Sequence, residues 1–240
     1  MSGWKAKRFW ANVTVVEEAE GGWGVRLDGR GVKTPAKTAL VVPTKAMAEA
    51  IAAEWQAQAE MVDPRTMPVT RSANAAIDKV ASQRSEVIDL IAAYGGSDLL
   101  CYRAETPITL VDRQEEGWGA WLRWAKTSLG VELVSAKGVM HIPQDAKALA
   151  TLHALVAGHS NFEIAALHDL VGISGSLVLG LAVSQGALDP EEGWRLSRLD
   201  EDFQAEVWGE DEEAVETAIR KKADFLHAHR FMTLCQPHRT

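Results

Sequence analysis

The feature that most constrains this chain is a change of hydrophobic period near Pro43. Before it, Trp23, Val25 and Leu27 alternate with Gly24 and Arg26, the period-two pattern of a half-buried strand. Phe9–Val16 is rich in β-branched and aromatic residues, as strands are. Asp28-Gly29 suits a tight hairpin, because both central residues of a type I′ turn need positive φ. Residues 32–34 and 40–42 complete an antiparallel meander, with Pro35 and Pro43 as its breakers. Beyond Pro43 the apolar spacing becomes helical. The fold class read from this switch is α+β.

The helical part divides at its punctuation. Thr44 can cap a helix that buries Met47 and Ile51. Asp63-Pro64 and Met67-Pro68 end it in an extended link. A second helix is predicted over 72–94, stopped by Gly95-Gly96, and 98–103 is ambiguous in type. A third covers 113–129. Residues 131–134 and 139–142 are predicted to pair as a hairpin. Further helices are expected at 145–157, 161–171 and 175–186. Asp189-Pro190 is a cap followed by proline at the first helical turn, opening a helix that runs to Val207. Gly209 breaks it, and the last helix runs from Glu210 to about Leu234. Trp55, Trp118 and Trp121 are read as core, and Asp98 with Arg103 as a structural ion pair.

Charge is the second constraint. The chain carries 33 acidic side chains against 25 Lys and Arg, which argues against a general nucleic-acid binder. From Asp200 to Glu216 stand nine acids and no base, interleaved with Phe203, Val207, Trp208 and Val215. A purely solubilising segment has no use for those apolar residues. The longest apolar stretch, Gly172 to Leu188, is short and interrupted, and reads as a buried helix rather than a membrane span. Two cysteines make no disulfide framework, so a reducing compartment is expected. No apolar signal region precedes Lys7-Arg8-Phe9-Trp10, and the expected location is the bacterial cytoplasm.

Catalytic patterns fail one by one. Gly172-Ile-Ser174-Gly175-Ser176 lacks the final glycine and the context of a nucleophile elbow. Gly22-Trp-Gly24 lacks the third glycine of a dinucleotide loop. His227 and His229 point to different faces of a helix, and neither they nor His238 have partners at ligand spacing. His153, His159 and His168 are scattered. Asp200, Glu201 and Asp202 are consecutive and fan around a helix, unlike acids that face across a cleft. Composition and spacing alone thus yield an α+β protein without an evident active site.

A resemblance reaches further than composition. The blocks Lys7-Arg8-Phe9-Trp10, Val25-Arg-Leu-Asp28-Gly29-Arg30, Lys33-Thr34-Pro35 and Glu54-Trp55 come first in order. Asp63-Pro64-Arg-Thr-Met67-Pro68-Val-Thr70 and Tyr94-Gly-Gly-Ser-Asp98-Leu-Leu-Cys-Tyr102-Arg103 follow. Asp200-Glu201-Asp-Phe-Gln204-Ala-Glu206-Val-Trp208-Gly209-Glu210-Asp211 stands near the end. In order and spacing these resemble the Atp12 chaperone family, which assembles the catalytic head of the F-type ATP synthase.

The resemblance implies a holding chaperone, not an enzyme, that binds the unassembled alpha subunit until the beta subunit replaces it, with no catalytic residue, cofactor or metal. It implies a small antiparallel β-rich N-terminal domain, drawn at 1–70, and a larger helical domain over 71–240. The mitochondrial relatives act in the matrix. Glu201, Gln204, Glu206, Trp208, Glu210 and Asp211 are the candidate client-binding residues. The competing reading puts Phe203 and Trp208 in the core beneath a charged helix face. An interaction module with another partner, or an enzyme with a non-standard site, are the alternative functions. A monomer is expected.

Overall fold

A computed structural model describes residues 7–138 and 140–236. The chain divides into two compact units. The first holds residues 7–84, 160–166 and 230–236 of the described chain, and the second holds 85–159 and 167–229.

In the first unit, β1 (Val13–Glu17) pairs antiparallel with β2 (Trp23–Leu27), with Val15 opposite Val25. The other edge of β2 takes β3 (Arg30–Gly31) near its end and β4 (Val41–Val42) near its start. Asp28 and Gly29 adopt φ of 46° and 82°, as the predicted hairpin requires. The Asp28 carboxylate also accepts from the Ala11 and Asn12 amides at 3.0 and 2.9 Å, which fixes the entry to β1. The third strand lies two residues earlier than the 32–34 expected. Thr34 instead begins a tight loop whose hydroxyl and Ala36 amide are held by Asp78.

The Thr44 hydroxyl caps α1 (Lys45–Gln56) by accepting from the Met47 amide, and α1 buries Met47, Ala48 and Ile51. The helix predicted over 72–94 begins earlier and is broken. It forms α2 (Pro68–Ala75), a π-helical turn over Ala76–Val80, and α3 (Arg84–Ala93). Pro68 occupies the first turn of α2, where its missing N–H costs nothing. The cap comes from far away: the Glu54 carboxylate accepts from the Val69 and Thr70 amides and the Thr70 hydroxyl. Local sequence gives no sign of such a cap.

In the second unit, β5 (Tyr102–Arg103) follows a 3-10 turn over Leu99–Cys101 and is succeeded by α4 (Ile108–Trp124). The hairpin predicted over 131–142 does not form among the described residues. Residues Ala136–Lys137 make β6, which runs parallel to β5, and Val139 lies outside the described residues. Next come α5 (Ala146–Ala157), α6 (Asn161–Ser174), whose first turns belong to the first unit, and α7 (Leu177–Ser184). Every residue of α7 is buried, and each such Leu or Val contributes about 1.5–3 kcal/mol of burial.

Asp98 and Arg103 do not pair. Asp98 is fully buried and turns toward the start of α7, accepting from the Ser176 hydroxyl and the Leu100 and Val178 amides. Burial pushes its carboxyl above the ordinary value, against the pull of those donors. Arg103 bonds the Gln114 carbonyl and lies 5.5 Å from the Trp118 ring. Trp118 is core as expected, with its indole N–H donated to the Leu196 carbonyl at 2.8 Å. Trp55 and Trp121 are only half-buried.

Among the described residues no helix is long and apolar enough to cross a membrane, and no His, Cys, Asp or Glu cluster has metal-site geometry. His238 lies outside them.

Candidate client-binding face

The helix predicted to run from Pro190 to Val207 is two helices, α8 (Pro190–Ser197) and α9 (Leu199–Trp208). Arg198 leaves helical geometry at φ −112°, ψ 9° and resets the phase. Burial then falls along the stripe Leu199, Phe203, Val207. Leu199 is buried, Phe203 half-buried and Val207 58% exposed. Thus α9 leaves the core as it proceeds.

Polar contacts from α4 hold it. Gln114 donates to Asp200 at 2.7 Å. Arg113 bonds both oxygens of Glu206, at 2.9 and 2.8 Å, and its guanidinium lies 5.2 Å from the Phe203 ring. That pairing lowers the Glu206 carboxyl and raises the Arg113 guanidinium from their ordinary values.

Gly209 ends α9 at φ 92°, ψ 160°, a conformation essentially reserved for glycine. The chain turns there into α10 (Glu212–Cys235). Asp211 caps α10, its carboxylate accepting from the Ala214 amide at 2.9 Å.

Between α9 and α10 lies a groove of about 520 Å³. Its apolar lining includes Ala205, Trp208, Ala214, Val215, Ala218 and Ile219. Trp208 is 78% exposed and Ile219 64% exposed, so the reading that placed Trp208 in the core is overturned.

Five of the six candidate residues line this groove: Glu201, Gln204, Trp208, Glu210 and Asp211. The sixth, Glu206, faces a second cavity on the other side of α9, beside Arg113, Trp121 and the Arg195–Glu192 pair. The two cations on the groove are already paired. Arg198 meets Asp202 at 3.3 Å, and Lys222 meets Glu191 at 2.7 Å. The groove is thus apolar at its floor and anionic at its rim.

Two contributors escaped the sequence reading. Ile219 lies four residues after Val215, a spacing that puts both on one helical stripe; that signal was available. Arg113, which is 93 residues from Glu206, gave none.

The sequence profile described as "ATP12 chaperone protein" matches residues 7–126, half of the 240. The groove lies beyond that span. The mitochondrial protein atp12 of Schizosaccharomyces pombe is 26% identical over 241 residues, covering 95% of this chain and 82% of that protein. The crystal structure of Atp12 from Paracoccus denitrificans is 50% identical with a TM-score of 0.94, covering 96% of this chain and 99% of that one. A mutant of the same Paracoccus protein matches at 49% identity and a TM-score of 0.94, over 96% of this chain and 98% of that one. A crystal structure from Agrobacterium tumefaciens is 42% identical with a TM-score of 0.92, covering 97% of this chain and 87% of that one.

Proposed function

Since this chain belongs to the ATP12 chaperone family, we propose that it holds the unassembled alpha subunit of the F-type ATP synthase catalytic head. It does so as a single chain in the bacterial cytoplasm until the beta subunit takes its place. The face formed by α9 and α10 is the client surface. The observation that carries this reading is Trp208, which stands 78% exposed among Glu201, Glu210 and Asp211.

An exposed tryptophan beside exposed Val207 and Ile219 is an aggregation hazard unless a partner covers it. Aromatic anchors of this kind dominate binding energies. Acids around them speed encounter and reject wrong partners. A holder must also let go. Glu206 is already neutralised by Arg113, and Asp211 is engaged by its own helix. Much of the acidic charge therefore has an internal partner when the client leaves.

The test is capture of purified alpha subunit by this chain, with the assembled catalytic head as comparison. Free alpha subunit should be retained and the assembled head should not. The double reversal Glu201→Lys with Glu210→Lys should abolish capture while leaving the circular dichroism spectrum unchanged. Equal retention of free and assembled subunit, or unchanged capture by the reversed protein, would sink the proposal.

A further inference from the structure

The groove between α9 and α10 has a chemistry that specifies what can fill it. Its two walls are helices whose backbone groups bond within each helix, and its floor is Ala205, Ala214, Ala218, Val215 and Ile219. Such walls offer a guest side-chain contacts and no free strand edge. An extended guest would bury N–H and C=O groups against that floor without partners, which is unfavourable for each group so orphaned. A helical guest satisfies its own backbone. The three alanines also let a helix approach closely, since interhelical distance follows the size of the side chains at the contact.

The rim decides the charge of the guest. Among the described residues, Glu201 and Glu210 line the groove with no basic partner, whereas Arg198 and Lys222 are both paired. A volume of about 520 Å³ lies within the ordinary range of ligand pockets and holds more than one side chain.

We infer that this groove binds an amphipathic basic helix of the client, with an apolar stripe against Trp208, Val215 and Ile219 and flanking Lys or Arg toward Glu201 and Glu210. The inference rests on the reading of α9 and α10 as the client-binding face. It adds the secondary structure and the charge pattern of what is held. The recognition mode is helix-in-groove, read through anchors spaced three and four residues apart.

The probe is a fluorescein-labelled Leu/Lys/Ala peptide of about 15 residues, the length at which an isolated helix becomes marginally stable. Its leucines are spaced three and four apart. Anisotropy titrations against the full chain compare it with an isomer carrying two central prolines and with a version bearing Glu for Lys. The helical basic peptide should bind, the proline isomer at least tenfold more weakly, and the acidic version not at all. Trp208→Ala and Ile219→Ala should each weaken binding at least tenfold. Both positions are exposed, so the fold is undisturbed, and the proline comparison needs no variant.

Equal binding of the proline isomer, or unchanged binding by both variants, overturns the inference. So does a concentration-dependent dimer that Ile219→Ala abolishes without any peptide binding, which would make a second copy of the chain the occupant. Alpha-subunit capture lost on reversing Glu201 and Glu210, yet untouched by Trp208→Ala and Ile219→Ala, overturns the groove and the Trp208 anchor and leaves standing only that the chain holds the alpha subunit through its acidic face. Helix-selective binding without capture of alpha subunit does the reverse.

Discussion

Asp98→Ala tests what holds the helical unit together. The Asp98 carboxylate is fully buried and accepts at one oxygen from the Leu100 amide (3.0 Å) and the Ser176 hydroxyl (2.7 Å). Its other oxygen accepts from the Val178 amide at 3.0 Å. Truncation to alanine leaves three buried donors without an acceptor. Each orphan costs about 1–3 kcal/mol, a gross loss of roughly 3–9 kcal/mol on that scale. Removing a buried charge returns several kcal/mol of desolvation, so the expected net lies toward the lower end of that range, at about 3–5 kcal/mol.

Asp98→Asn should cost less, about 1–3 kcal/mol. Its amide oxygen can keep the Leu100 and Ser176 bonds, and only its NH2 group faces the Val178 N–H. Against a total stability of about 5–15 kcal/mol, the alanine variant should lose a large share of its folding margin. Urea unfolding followed by circular dichroism measures this, with the slope checked to confirm a common unfolded state. An alanine variant within 1 kcal/mol of the parent, or an asparagine variant at least as damaged as alanine, would refute the reasoning.

Three further outcomes are expected. Trp118→Ala should destabilise by about 3–5 kcal/mol, whereas Trp208→Ala should stay within about 0.5 kcal/mol of the parent while losing client capture; thermal melts and pull-downs on the same preparations separate the two. Asp211→Ala should cost about 1 kcal/mol through the lost α10 cap, and Asp211→Asn should restore most of it; a difference in melting temperature between the two variants reads the cap apart from the charge. Burial lowers the His229 imidazole from its ordinary value, so the stability it confers is fully present above about pH 6.5 and is lost as pH falls through the lower folded value. A pH series of urea midpoints should show that loss, and His229→Leu should flatten it.

Much of the fold was legible because its signals are local. Period-two alternation at Trp23, Val25 and Leu27, positive φ at Asp28-Gly29, the Thr44 cap and the Asp189-Pro190 start each act within a few residues, and each appears where expected. The misreadings share the opposite property. The start of α2 is capped by Glu54, and Ala136–Lys137, which lie between the two strands predicted to pair as a hairpin, pair instead with β5. Asp98 turns from Arg103 toward the α7 start, 80 residues away at Val178. In each case a distant partner outbid the neighbour.

The face built by α9 and α10 divides along the same line. The sequence alone determined that nine acids crowd into Asp200–Glu216 with Phe203 and Trp208 among them. It also determined that glycine would end the helix there, because charge and backbone preference are carried by the residues themselves. Only the tertiary structure decided that Trp118 is fully buried while Trp208 stands exposed. It alone decided that Glu206 is turned to Arg113, away from the groove that gathers the other candidates. Exposure is set by what else packs against a residue. The break at Arg198 rotated the stripe of α9 away from the core, so that apolar residues with helical spacing were left exposed.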